Sequence, residues 1–230
     1  PQKYTPKKIL FPAGVVILII LSVLTWKQCH YWKNTATLFG HALLVTKNND
    51  RAHNNLGYYY SKQNQMMKAI YHYNQAIRIS PNYGTYNNRG NAYAKLGQYQ
   101  CAIDDFSKSI SLKPDYTEAY YNRGTSYGKS GQYQLALDDF NKAVNLNGDY
   151  IKAYSNRGII YTKLGLHQKA MNDFNQAIMM KPDYADAYNN RALVHFYMKN
   201  QDSGCNDAQK ACELGNCATL QAGRGDGLCR

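Results

Sequence analysis

From Asp50 onward the apolar and small residues fall into two alternating helical patterns. In the first, Tyr86, Gly90 and Tyr93 are spaced by four and three, so they share one helical face. In the second, Ala102, Phe106 and Ser109 repeat that spacing. Gly97 divides the two patterns and Pro114 follows the second. The pattern predicts two antiparallel helices joined by a tight turn. The small Gly90 lets the two helices approach. The proline closes the second helix by pushing the residue before it out of the helical region.

The same sentence recurs 34 residues on, as Tyr120, Gly124, Tyr127, Gly131, Ala136, Phe140 and Ala143. A further step gives Tyr154, Gly158, Tyr161, Gly165, Ala170, Phe174, Ala177 and Pro182. A fixed period of this length decides the architecture before any single motif does. The units are 50–82, 83–116, 117–150, 151–184 and a degenerate 185–218, with a capping helix at 219–230. No strand pattern interrupts them, so the fold is all-α.

Ahead of the array lies Ile9–Trp26, 18 residues without a charge, bounded by Lys7, Lys8 and Lys27. At about 1.5 Å per residue this nearly crosses a hydrocarbon core of about 30 Å. The expected arrangement is a basic flank at 1–8, a transmembrane helix at 9–27 and a connecting half repeat at 31–49. A cleaved signal peptide and a buried core helix are the competing readings. No small-x-small cleavage site follows the apolar run. Lys3, Lys7 and Lys8 precede the span, which favours the repeats outside. The expected place is the periplasmic side of a bacterial inner membrane.

The recurring Gly, Tyr, Ala, aromatic and Pro positions resemble the tetratricopeptide repeat (TPR) family over about Asp50–Ala218. The resemblance implies a right-handed superhelix of about five helix pairs. It also implies that the first helix of each pair lines a concave surface that binds protein or peptide. Trp32, Thr35, Leu38 and Phe39 loosely resemble the segment after the last span in bacterial multi-span proteins that end in TPR arrays, transmembrane TPR O-mannosyltransferases among them. That second likeness implies a rival role, as the non-catalytic tail of a membrane glycosyltransferase that presents its protein substrate.

Three columns then stand out. Asn55, Asn88, Asn122, Asn156 and Asn190 occupy one position of the first helix. They resemble the asparagine ladder with which some TPR arrays hold peptide backbone. An amide both donates and accepts, so it pairs with any peptide bond; local capping or packing is the plainer alternative. Beside them stand Arg89, Arg123, Arg157 and Arg191, and sixteen residues later Asp105, Asp139, Asp173 and Asp207. The first unit lacks both, with Leu56 and His72 instead. Joint presence and joint absence point to an Arg–Asp pair within each unit. Lys62, Lys95, Lys129 and Lys163 form a third column near the helix end, where cations suit the dipole. The alternative is an edge that attracts acidic partners.

Net charge is +12, yet the lysines and arginines are spread along the chain, so no nucleic-acid site is expected. The six histidines stand at no catalytic or metal-ligand spacing, and neither cofactor, metal nor enzymatic activity is expected. Four of the six cysteines lie in the tail. A zinc site, free thiols and disulfides are all open readings, and disulfides agree with an oxidising compartment. The nested pairing Cys205 with Cys229 and Cys212 with Cys217 fits best. Cys205 and Cys212 are two turns apart on one helix and cannot bridge each other.

Overall fold

The computed structural model describes the backbone of residues 7–229 and the side chains of 15–29 and 32–229. The basic flank at 1–8 falls largely outside the described residues, as do the side chains of 9–14. Among the described residues there are thirteen helices and no strand. The chain divides into two compact units, residues 1–81 and 82–230.

The first unit holds α1 (Lys7–Tyr31), α2 (Thr35–Val45), α3 (Asp50–Lys62) and α4 (Met66–Ile79). Asn34 starts α2 with a capping box: its side chain accepts from Thr37 N at 2.9 Å, and Thr37 Oγ1 accepts from Asn34 N at 3.2 Å. Asn49 caps α3 through Ala52 N at 2.8 Å. On α1 the large apolar side chains among the described residues are exposed, from 42% at Val15 to 70% at Trp26. Among the described residues no helix is long and apolar enough to cross a membrane. Helices α3 and α4 close over a knob and a hole. The buried Tyr73 ring presses so tightly on Gly57 that a Cβ there would lie 2.5 Å from it.

The second unit is four helix pairs and a cap: α5 (Tyr83–Lys95) with α6 (Tyr99–Leu112), α7 (Thr117–Lys129) with α8 (Tyr133–Leu146), α9 (Ile151–Lys163) with α10 (His167–Met180), α11 (Ala185–Tyr197) with α12 (Gln201–Glu213), and α13 (Ala218–Gly225). In the first three pairs the rings of Phe106, Phe140 and Phe174 fill the space left by Gly90, Gly124 and Gly158. Here glycine is required by close approach. Each odd-numbered helix touches the next odd-numbered one, α5 on α7, α7 on α9 and α9 on α11. No even-numbered helix from α6 to α12 touches another. The odd-numbered helices are therefore the inner layer of this unit.

The turn inside each pair is left-handed, with φ of 74° at Gly97, 83° at Gly131 and 72° at Gly165. Asn64 and Lys199 adopt the same conformation in the outer repeats, φ 58° and 60°. Asparagine tolerates it, and lysine does so at some cost. The end of the second helix corrects one expectation. Lys113 before Pro114 is extended (φ −142°), but so is Asn147 before Gly148 (φ −141°). Proline is compatible with this break and is not its cause.

The fifth repeat repacks its core. Ala192 and Ala208 stand where the second to fourth repeats have glycine and phenylalanine, and the aromatic moves to Phe196, which packs on Gly204. Its ring occupies the space a Cβ on Gly204 would need. Helix α13 then sits where a further inner helix would begin. Thr219 N donates to Asn189 Oδ1 (3.1 Å), and Asn216 Nδ2 to Asp186 Oδ1 (2.8 Å). Disulfides Cys205–Cys229 and Cys212–Cys217 stitch this cap to α12 and to its turn.

Candidate peptide-binding face

Each arginine of the column grips its own repeat. Arg89 Nε and Nη2 meet both oxygens of Asp105 at 2.7 and 2.6 Å. Arg123 does the same to Asp139 at 2.8 Å for both bonds, Arg157 to Asp173 at 2.8 and 2.7 Å, and Arg191 to Asp207 at 2.7 Å for both. The geometry is the fork-on-fork pairing that fixes orientation as well as energy. Burial pushes the carboxyls of Asp105 and Asp139 up from the usual range, against the pull of their arginines.

The remaining guanidinium nitrogen does something the repeat pattern does not announce. Arg123 Nη1 donates to Ser107 at 3.0 Å, Arg157 Nη1 to Asn141 at 2.8 Å and Arg191 Nη1 to Asn175 at 2.6 Å. All three acceptors lie on the outer helix of the preceding repeat. Each arginine thus joins three helices. Tyrosine rings flank it, with Arg123 Cζ 5.7 Å from the Tyr120 ring and 5.9 Å from Tyr127. These residues build the wall and do not line the face.

In the first unit Leu56 is buried and His72 stands at the aspartate position. His53 Nδ1 lies 3.1 Å from His72 Nδ1, and the His72 ring stacks on Tyr60 with centroids 5.4 Å apart. Burial lowers the basicity of both rings; Arg78 lowers His53 further, and His53 lowers His72. Sequence reasoning missed this pair, because residues 19 apart on two helices match no motif. The one available signal was the missing aspartate.

All five asparagines of the column are half-buried, those of the second unit along its inner layer, and the members are not equivalent. Asn122 Nδ2 donates to Asn87 Oδ1 at 3.0 Å. Asn156 Nδ2 donates to the Tyr121 hydroxyl at 3.1 Å and to Thr125 Oγ1 at 3.3 Å. These bonds tie α7 to α5 and α9 to α7. The side-chain oxygens of Asn122 and Asn156 accept from no described residue. Each amide is thus held by its nitrogen, with its oxygen left as an oriented acceptor. Asn88 is also engaged within the structure. Asn55 lies on α3 of the first unit, and Asn190 on α11.

Among the described residues no three His, Cys, Asp or Glu side chains gather where a metal ion would fit. A tetratricopeptide repeat model matches residues 50–83, 117–150 and 151–184, and a second TPR repeat model matches 90–131. Together they cover more than half of the chain. Comparison with curated proteins gives no match. Among solved structures, a crystal structure of MamA is 28% identical, with TM-score 0.64, over 69% of this chain and 94% of MamA. YrrB, described as a TPR protein with an unusual peptide-binding site, is 24% identical, with TM-score 0.66, over 81% of this chain and 97% of YrrB. MamA from Desulfovibrio magneticus RS-1 is 20% identical, with TM-score 0.68, over 74% and 96%. Repeat by repeat, in the knob-and-hole packing and in the register of its matches, the chain belongs to the tetratricopeptide repeat family.

Proposed function

We propose that this TPR array is a membrane-anchored scaffold whose inner layer holds an extended peptide segment of a partner protein, without chemistry of its own. The observation that carries the reading is the pair Asn122 and Asn156. Their nitrogens are bound laterally and their oxygens are open, about one repeat apart along the face. An acceptor fixed in advance pays little ordering entropy when a peptide N–H arrives. The experiment is the double variant Asn122→Ala/Asn156→Ala titrated with an unstructured peptide pool. Loss of both acceptors weakens binding by about 1–3 kcal/mol, at about 0.5–1.5 kcal/mol per bond. A folded double variant with unchanged affinity refutes the reading.

The anchor in this proposal is the uncharged run at 9–26, whose side chains at 9–14 lie outside the described residues and whose remainder belongs to α1. Water leaves its bare apolar side chains unsatisfied at about 25 cal/mol per Å², and a bilayer interior removes that penalty. The proposed location of the repeats is the periplasm of a bacterium, where both tail bridges persist. Membrane fractionation tests the anchor: the protein should stay with the membrane through an alkaline wash, and a variant lacking residues 1–30 should not. Thiol labelling of denatured, unreduced protein from the native host tests the compartment. Labelling of all four tail cysteines overturns it.

A further inference from the structure

The inner layer is not uniform along its length. Between α7 and α9 it opens into a pocket of about 290 Å³. The floor is apolar: Phe140 and Ile160 are buried, and Ile159 forms a side. Gly128 is packed against that floor. A Cβ there would lie 2.9 Å from Ile160 Cδ1, and the equivalent positions carry Ala94, Thr162 and Phe196. Lys129 and Lys163 stand at the mouth. Lys163 hangs over the Tyr133 ring at 5.9 Å, and no described carboxylate pairs with either lysine. No acidic side chain lines the pocket, whereas Asn156, with its open amide oxygen, does.

An apolar floor under two uncompensated ammonium groups has a definite complement. We infer that this pocket selects, from the peptide held on the inner layer, a large apolar side chain flanked by an acidic residue. The apolar side chain fills the space over Phe140, Ile159 and Ile160. The neighbouring carboxylate lies between Lys129 and Lys163. The backbone N–H joining them reaches Asn156 Oδ1. A pocket of this volume suits a leucine, methionine or phenylalanine side chain, and charge at the mouth supplies specificity more than affinity. The inference rests on the peptide-holding reading and adds the sequence that is held.

The test uses the full chain in detergent and fluorescent unstructured peptides that differ at two positions: Leu-Glu, Leu-Lys, Ala-Glu and Ala-Lys in one scaffold. Leu-Glu should bind most tightly, and each single replacement should weaken binding roughly tenfold. The charge-reversed variant Lys129→Glu/Lys163→Glu changes only exposed side chains, and its melting curve checks the fold. It should prefer Leu-Lys to Leu-Glu. Gly128→Leu forces Ile160 from its place in the floor; in a variant whose melting curve stays that of the parent it should erase the preference for Leu over Ala, while leaving peptides that bind elsewhere on the face untouched. If all four peptides bind alike, the pocket selects nothing and the inference falls while peptide holding stands. If no peptide binds, both fall. A preference for Leu-Glu that survives the charge reversal also overturns the assignment.

Discussion

The first repeat and the three that follow it solve one problem in two ways. Both must set two antiparallel helices at a fixed angle over a glycine and a ring. In the second to fourth repeats a bidentate Arg–Asp pair lies beside that ring, with the arginine 16–20% exposed and the aspartate 6–7%. In the first repeat the same volume holds the buried Leu56, with His53 and His72 in contact at 3.1 Å. The ring there is Tyr73 rather than phenylalanine. The difference teaches that the ion pair is not needed to close a repeat. It joins repeats: the third nitrogen of Arg123 and Arg157 bonds the repeat before. The comparison separates what closes a unit from what connects units.

The largest effect expected from breaking this comparison is at Asp139. Replacing it by Leu strands a half-buried guanidinium and should cost about 3–5 kcal/mol. Arg123→Leu should cost less, about 1–3 kcal/mol, because burial already pushes the Asp139 carboxyl toward its neutral form. Thermal melts of both variants and of the double decide it; simple additivity would mean that the two residues do not act as a pair. A smaller effect is expected at the rings. Phe106 is fully buried against Gly90, so Phe106→Tyr should cost about 1–3 kcal/mol by burying a hydroxyl. Tyr73→Phe in the first repeat should stay within about 0.5 kcal/mol. Equal penalties would show that the two ring sites are equivalent after all.

The smallest effect is one of pH, and it is confined to the first repeat. Burial and neighbouring positive groups hold His53 and His72 below the ordinary histidine value of 6.5. The unfolded chain then binds more protons than the folded one just below that value. Stability of the repeat is full above pH 6.5 and declines as pH falls through it toward the lower folded values. Tyr60 and Tyr71 pack on His72, and Arg78 is the charge acting on His53. Hydrogen-exchange protection, taken relative to the intrinsic exchange rate at each pH, should therefore fall between pH 7.5 and 5.5 more in α3 and α4 than in α7 and α8. The variant Leu56→Arg/His72→Asp, which installs the pair of the other repeats, should lose that difference. A response of equal size in both places would remove the histidines as its cause.

The repeat boundaries and the columns are legible in the sequence because one period carries them. Gly90 with Phe106 and Arg89 with Asp105 can be matched by counting, since each pair lies within one repeat. What lies between repeats is harder to read. The bond from Arg157 to Asn141 needs the outer helix of the preceding repeat, and its acceptor varies from serine to asparagine. Asn122 and Asn156 share a column but find different partners, because residue 87 is asparagine and residue 121 tyrosine. The fifth repeat hides its core, because its aromatic has changed helices, from position 208 to Phe196. The pocket is built by residues of three helices, among them Lys129 of α7, Phe140 of α8 and Ile159 of α9, which no single repeat places together.

The cap has a mechanical consequence. The bridge from Cys205 to Cys229 closes a covalent loop across 24 positions of sequence, with the Cys212–Cys217 loop inside it. A load applied to the chain just beyond Cys229 does not pass through α13. It enters α12 directly at Cys205, and α13 stays slack inside the ring. A pulling machine or a protease that works by threading cannot peel the cap away turn by turn. It must first dislodge α12, which Arg191 holds through Asp207 and secures to the repeat before it through Asn175. Reducing the outer bridge would turn that shear into an unzipping from α13, and lower the force at which the array begins to give.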